Sequence, residues 1–206
     1  MSGIDEEILK AKKQMAAAQE KAQSEENLEK ELKESIFDGM IHIHEQEVTF
    51  SEREIKDLGI RIYMPDAFFQ FNNDLKNLLY PMGKNPKYVF GGEDITFQLA
   101  VDCTDNMVPD DGIPKFLPMA KKILETLGPK TRVIGTGNVI IDNRNVAIME
   151  FVSRAVDTNV YNVMFYFSRN NHLMIGTVNF PSKHQKRFIK VAKEIIDSLK
   201  IIEEEV

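Results

Sequence analysis

His42 and His44 stand two apart in a stretch of alternating apolar and polar residues, so on a strand both imidazoles leave one face and could share a metal ion, with Glu45 or Glu47 close by. Two histidines do not make a site. No Cys or His cluster elsewhere supplies a third ligand by spacing, and polar side chains on the outer face of an edge strand explain the pair more simply. Cys103 with His172 or His184 would be a nucleophile and a base, yet the acidic side chains of its own loop disfavour the thiolate, so an inert thiol is expected. Asp102, Asp105, Asp110 and Asp111 offer oxygen ligands for calcium, but they do not follow the Asp-x-Asp-x-Asp-Gly pattern with its distant Glu. They read as capping and solvated carboxylates of a loop from Asp102 to Gly112. Gly135-Thr136-Gly137-Asn138 lacks the lysine and the following helix of a phosphate cradle, so its glycines mark a bulge or close packing inside a strand. The chain carries no catalytic signature, and the expectation is a protein that is not an enzyme and uses no metal and no cofactor.

The chemistry that remains is apolar contact with another protein. Phe68, Phe69, Phe71, Met82 and Met107 fall in connections rather than at core periods, where flexible apolar side chains could line an adaptable groove. Residues 1 to 38 are rich in Glu, Lys, Gln and Ala, contain no Pro, and predict a helical arm closed by Asp38-Gly39. Along it Ile4, Ile8, Ala11, Met15, Ala18, Ala22, Leu32 and Ile36 share one heptad seam, which Glu25 and Glu29 interrupt. In a parallel self-dimer those glutamates would face their own copies, so a heterologous partner presenting Lys or Arg fits better; self-association is left open. The partner-binding candidates are thus Ile4, Ile8, Met15 and Leu32 on the arm, with Phe68, Phe69 and Met107 in the connections.

These residues need a scaffold, and the stretch from Thr131 to Leu199 specifies it. Ile134–Ile141, Val146–Ala155, Val160–Ser168 and Leu173–Phe180 are β-branched and aromatic runs joined by short polar turns, which is the pattern of an antiparallel meander. After Pro181 the period becomes helical, with Ser182 and Gln185 as a capping box and Phe188, Val191, Ala192, Ile195 and Leu199 on one face. Upstream, Met40 to Phe50 predicts an edge strand or hairpin arm, and Gly59 to Met64 a strand with Ile60, Ile62 and Met64 inward. Asn73 caps a short helix. In a further strand Ile95, Phe97, Leu99 and Val101 point inward, while Thr96, Gln98 and Ala100 take a wetter face. Pro114 opens a helix with Phe116 or Leu117, Ala120, Ile123, Leu124 and Leu127 on its apolar side. Strands, helix, meander and helix without strand–helix–strand alternation make this an α+β domain: a central antiparallel sheet flanked by helices.

At 206 residues and 43% hydrophobic, the chain suits one domain with an appendage, divided here as arm 1–38 and domain 39–206. A net charge of -6 argues against nucleic acid or an anionic membrane as the main partner. Its single cysteine forms no internal disulfide, and the first residues show no signal-peptide pattern, so a cytoplasmic protein is expected, with signal-less export left open.

Three stretches carry a resemblance. The strand Ile-Arg-Ile-Tyr-Met-Pro-Asp-Ala-Phe (Ile60–Phe68), the helix Phe116–Leu127 before the meander, and the strand Gly176–Phe180 feeding a helix that ends Ser198-Leu199-Lys200-Ile201 resemble the PsbP/DcrB-like family of small α+β domains. That family includes the PsbP extrinsic protein of photosystem II, bacterial DcrB proteins and a eukaryotic Ran-binding import factor. The likeness covers residues 41–202. It implies a sheet between helices and a non-catalytic, protein-binding role as adaptor, chaperone or assembly factor, including bacterial secretion chaperones. No family binding residue matches a position here. The alternatives are a structural subunit of a larger assembly, or an enzyme or ligand-binding domain whose site is assembled from distant residues.

Overall fold

The structure, a computed structural model, describes residues 3–43, 46–80, 85–93, 96–127, 131–155 and 158–202; the side chains of residues 3–8, 11, 20 and 127 fall outside that description. The meander forms as its local pattern requires. β7 (Arg132–Ile141), β8 (Arg144–Arg154), β9 (Asn159–Arg169) and β10 (His172–Pro181) pair antiparallel in succession. Two of their turns need left-handed backbone at both central residues, and Asp142-Asn143 and Asn170-Asn171 supply it with φ between 49° and 62°. Three further strands extend this sheet: β4 (Phe69–Gln70), β5 (Tyr88–Gly91) and β6 (Gln98–Met107), in the order β4-β5-β6-β10-β9-β8-β7.

A second sheet accompanies the central one. β1 (Met40–Ile43), β2 (Gln46–Ile55), β3 (Ile60–Pro65) and the two-residue β11 (Lys200–Ile201) form a four-stranded antiparallel sheet. Its inward residues Ile60, Ile62 and Met64 are fully buried and share one core with α4 (Gln185–Asp197) and with Phe165 and Val178 of the large sheet. The opposite face of the large sheet carries α3 (Ile113–Leu127), whose Ile113, Leu117 and Ala120 pack on Met149, Phe151 and Tyr166. Beside it, α2 (Asn73–Leu79) sets Leu75 and Leu79 over Phe71, Val89 and Ala100.

Several local expectations are corrected. Ala100 and Gln98 are buried rather than wet, because α2 and the neighbouring strands cover that face; Ile95 lies outside the described residues. The stretch Asp102–Met107 is strand, not loop, since its backbone pairs with β10 across a bulge between His172 and Met174. Asn72 rather than Asn73 caps α2, its side-chain oxygen accepting from the Leu75 N–H at 2.9 Å. Ser182 caps nothing; a 3-10 turn Ser182–His184 intervenes, so no capping box forms with Gln185. Ile123 is 47% exposed because α3 docks through Ile113, Leu117 and Ala120, a stripe that leaves Ile123 at its margin. The N-terminal helix α1 runs Gly3–Glu31 and stops short of Asp38-Gly39. A separate 3-10 turn, Ile36–Asp38, is capped by Ser35 and closed by Gly39 at φ 85°, and it drives Ile36 into the core.

Candidate functional site

The apolar residues that could meet a partner converge where β1 and β2, the connection after β3 and the start of α4 come together. Ile43, Val48, Phe50, Phe68, Phe97 and Phe188 line a groove of about 380 Å³ there. Its floor is aromatic: Phe97 lies 5.9 Å from Phe68 and 5.0 Å from Phe188, ring centre to ring centre. Such offset pairs add to burial and hold the rings in place. His184 stands edge-on to Phe188 at 5.8 Å, and burial, aided by the Lys183 charge, pushes its pKa down, which favours the neutral ring. A groove with this lining rewards apolar side chains and offers little to an anion or a metal ion.

On the other side of β1 lies a polar cleft at the end of the arm, lined by Asn27, Lys30, Glu31, Glu34 and His42. Glu31 forms an ion pair with Arg187 of α4, and both side chains are largely buried. Glu34 holds His42 twice, accepting its backbone N–H at 2.5 Å and meeting its ring Nδ1 at 2.7 Å. Lys190 donates to the Glu34 carbonyl, and Glu194, 3.2 Å from Lys190, accepts the Ile36 N–H at 3.2 Å. Burial opposes ionisation of Glu34, but the His42 contacts outweigh it and hold the carboxyl below its usual range; the same hydrogen bond raises the His42 pKa. The network fastens the end of α1 to β1 and α4. It does nothing catalytic that its geometry shows.

The partner-binding candidates divide. Met15 is 66% exposed and Leu32 lies on the surface just past α1; the side chains of Ile4 and Ile8 lie outside the described residues. Ile36 leaves the seam altogether for the core, and Leu28, outside the seam, is half-buried. Phe68 lines the groove while being 8% exposed, so it serves the core as well. Phe69, adjacent on a strand, faces away and leans on buried Phe71 at 5.3 Å. Met107 is exposed but sits nine residues along β6 from the Gln98 end, about 30 Å away at strand rise, so it belongs to no common surface with Phe68. Met82 lies outside the described residues.

The reactive candidates resolve into structural roles. His42 is engaged by Glu34, His44 lies outside the described residues, and among the described residues no three metal-ligating side chains converge. Cys103 is exposed; partial burial first and the Asp102 charge second raise its pKa, and the His172 Nδ1 lies 3.3 Å from the Thr104 carbonyl rather than serving as a base. Asp110 accepts from the backbone and side-chain nitrogens of Asn145 at 3.0 and 2.6 Å, fastening the turn that opens β8. A register shift between Val133 and Gly135 is the bulge that the glycines suggested. Sequence reasoning missed the Glu31, Glu34, Arg187 and Lys190 network, for which only the Lys190–Glu194 helical spacing gave a signal.

No family model matches the chain, and no curated protein matches it in sequence. Solved structures do resemble it in shape. The cyanobacterial PsbP protein CyanoP from Synechocystis sp. PCC 6803 superposes with a TM-score of 0.55 at 10% identity, over 74% of this chain and 92% of that one. LpqN of Mycobacterium tuberculosis, described as involved in cell envelope biogenesis, gives 0.49 at 10% identity over 76% and 92%. A Pseudomonas aeruginosa protein of unknown function, PA94, gives 0.44 at 9% identity over 76% and 99%. Identities this low speak to architecture alone, and with two antiparallel sheets packed about a C-terminal helix the chain has the PsbP-like fold.

Proposed function

We propose that the protein is a non-catalytic protein-binding module, an adaptor or chaperone-like assembly factor, with α1 as its contact element and the aromatic groove, across β1 from the end of the arm, as a second contact surface. The observation that carries this reading is the state of α1. Over Leu9–Glu26 its described side chains are exposed, Leu9 at 56% and Met15 at 66%, and the Glu31–Arg187 ion pair ties its last turn to the domain. Helices of this kind draw most of their stability in water from packing, so a partner's apolar stripe would complete it. Glu25 and Glu29 interrupt that seam, which favours a partner helix carrying Lys or Arg among its apolar residues. The groove adjoins the arm through β1, where His42 faces the arm and Ile43 the groove, and through α4, where Arg187 faces the arm and Phe188 the groove.

A photo-crosslinking residue at Met15, used in the cell that makes the protein, tests this. The expected result is one defined protein adduct that disappears when Ile8 and Met15 are replaced by Asp in a chain crosslinked from a neighbouring arm position, with the melting temperature unchanged. No adduct, or an aspartate variant that melts earlier, would place the arm in the protein's own core and end the proposal.

A further inference from the structure

β7 ends the seven-stranded sheet, and among the described residues nothing pairs with its outer edge. The remaining sheet ends are short, with two residues in β4 and β11 and four in β1, whereas β7 has ten. A row of unpaired N–H and C=O groups recruits another strand, and folded proteins guard long edges with charge, proline or cover. Over Arg132–Ile141 the only charge is Arg132, there is no proline, and Ile134, Val139 and Ile140 are 42%, 40% and 67% exposed. The bulge confines its distortion to the first residues, and from Gly135 to Ile141 the strand is regular.

We infer that this edge is a self-complementary interface on which a second copy of the chain pairs antiparallel about a twofold axis at Gly137, joining two sheets into one. Three observations select this occupant. Gly135, Gly137 and Val139 line the α4 side of the sheet and Ile141 is buried in the core there, so by alternation Ile140 takes the other face, where Val133, next to the bulge residue Ile134, also packs. Pairing about Gly137 sets Thr136 opposite Asn138 within the regular run and brings Ile140 of one copy against the bulge residue Ile134 of the other. The strand also has opposite charges at its two ends, Arg132 at the start and exposed Asp142 just past the finish. Antiparallel pairing brings each arginine to the partner copy's aspartate; parallel pairing would bring like to like. Finally, a side chain added at Gly137 meets nothing within 4 Å, so the sheet face beside the axis has room for one from each copy.

Sedimentation of the full chain at micromolar concentrations should show a dimer. Ile134→Lys and Ile140→Glu should each weaken it by roughly tenfold or more, because a twofold interface counts every substitution twice. The combination I134K/I140E should recover most of that loss, since each lysine then faces a glutamate of the other copy. Both side chains are exposed, so melting temperatures that stay unchanged at concentrations too low for the dimer serve as the control. In a Cys103→Ser chain, Gly137→Cys should oxidise to a covalent dimer, reading the axis position without touching either isoleucine. A monomer at all concentrations, a dimer indifferent to the single substitutions, or a double variant no better than the singles would overturn the inference.

Discussion

A methyl group on Gly176 would sit 2.0 Å from the Cζ of Phe165, a ring fully buried between β9 and the small sheet. The ring has nowhere to retreat, since it also stacks on Phe167 at 6.0 Å. Gly176→Ala should therefore cost about 1–3 kcal/mol, read as a lower denaturant midpoint with an unchanged slope. At position 42 the effect is one of charge. His42 has a raised pKa, so its contribution is complete below the unfolded value of about 6.5 and is lost as pH rises through the higher folded one. Glu34 has a lowered pKa, so its share is complete above about 4.3 and is lost only as pH falls through the depressed value. The contact should be fullest between those limits. An NMR titration of the His42 ring should give a midpoint above the ordinary one, moving down toward it in Glu34→Gln while the Glu47 and Glu31 charges remain.

Among the elements, α1 and the turn after it differ in what they contribute. A chain beginning at Ser24 keeps the Glu31, Glu34 and Ile36 contacts and should melt within about 0.5 kcal/mol of the full protein, as remote surface changes do. Beginning instead at Gly39 removes fully buried Ile36, and calorimetry should show a loss of at least the roughly 2–5 kcal/mol typical of emptying such a site. Arg187→Met leaves Glu31 uncompensated and should cost on the order of 2–3 kcal/mol, less than a wholly buried pair because Arg187 keeps 17% of its side chain in water. The stop after Glu31 was not legible because Leu32-Lys33-Glu34-Ser35 contains no Gly or Pro; the helix ends where tertiary contacts to α4 and β1 take over. The meander was legible because alternation and Asn/Asp turns are local signals. The small sheet was only half legible: β3 shows its inward stripe, but β11 is two residues long and pairs with Arg61 and Ile60 from the far end of the chain. The groove was legible through Phe68 alone, since Ile43, Phe97 and Phe188 come from separate segments that only the fold assembles.

At the scale of the whole molecule the two sheets share one core. α4 touches both, and fully buried Ile195 sits in the cluster with β3 and β9 residues. Ile195→Ala should cost roughly 2–5 kcal/mol, and because β3 and β9 bury residues in the same cluster around α4, amide protection in the two strands should fall together in one transition. The place of β10 and β11 has a consequence for synthesis. β6 has β10 as its inner neighbour and β3 has β11, so both strands wait for partners made near the end of the chain. Met107 and Pro181 lie about 74 positions apart and Pro65 and Ile201 lie about 136 apart, which at about 5–20 residues per second is roughly 4–15 s and 7–27 s of translation. During those intervals a nascent chain carries unpaired strand edges, so neither sheet can close until β10 and β11 have emerged.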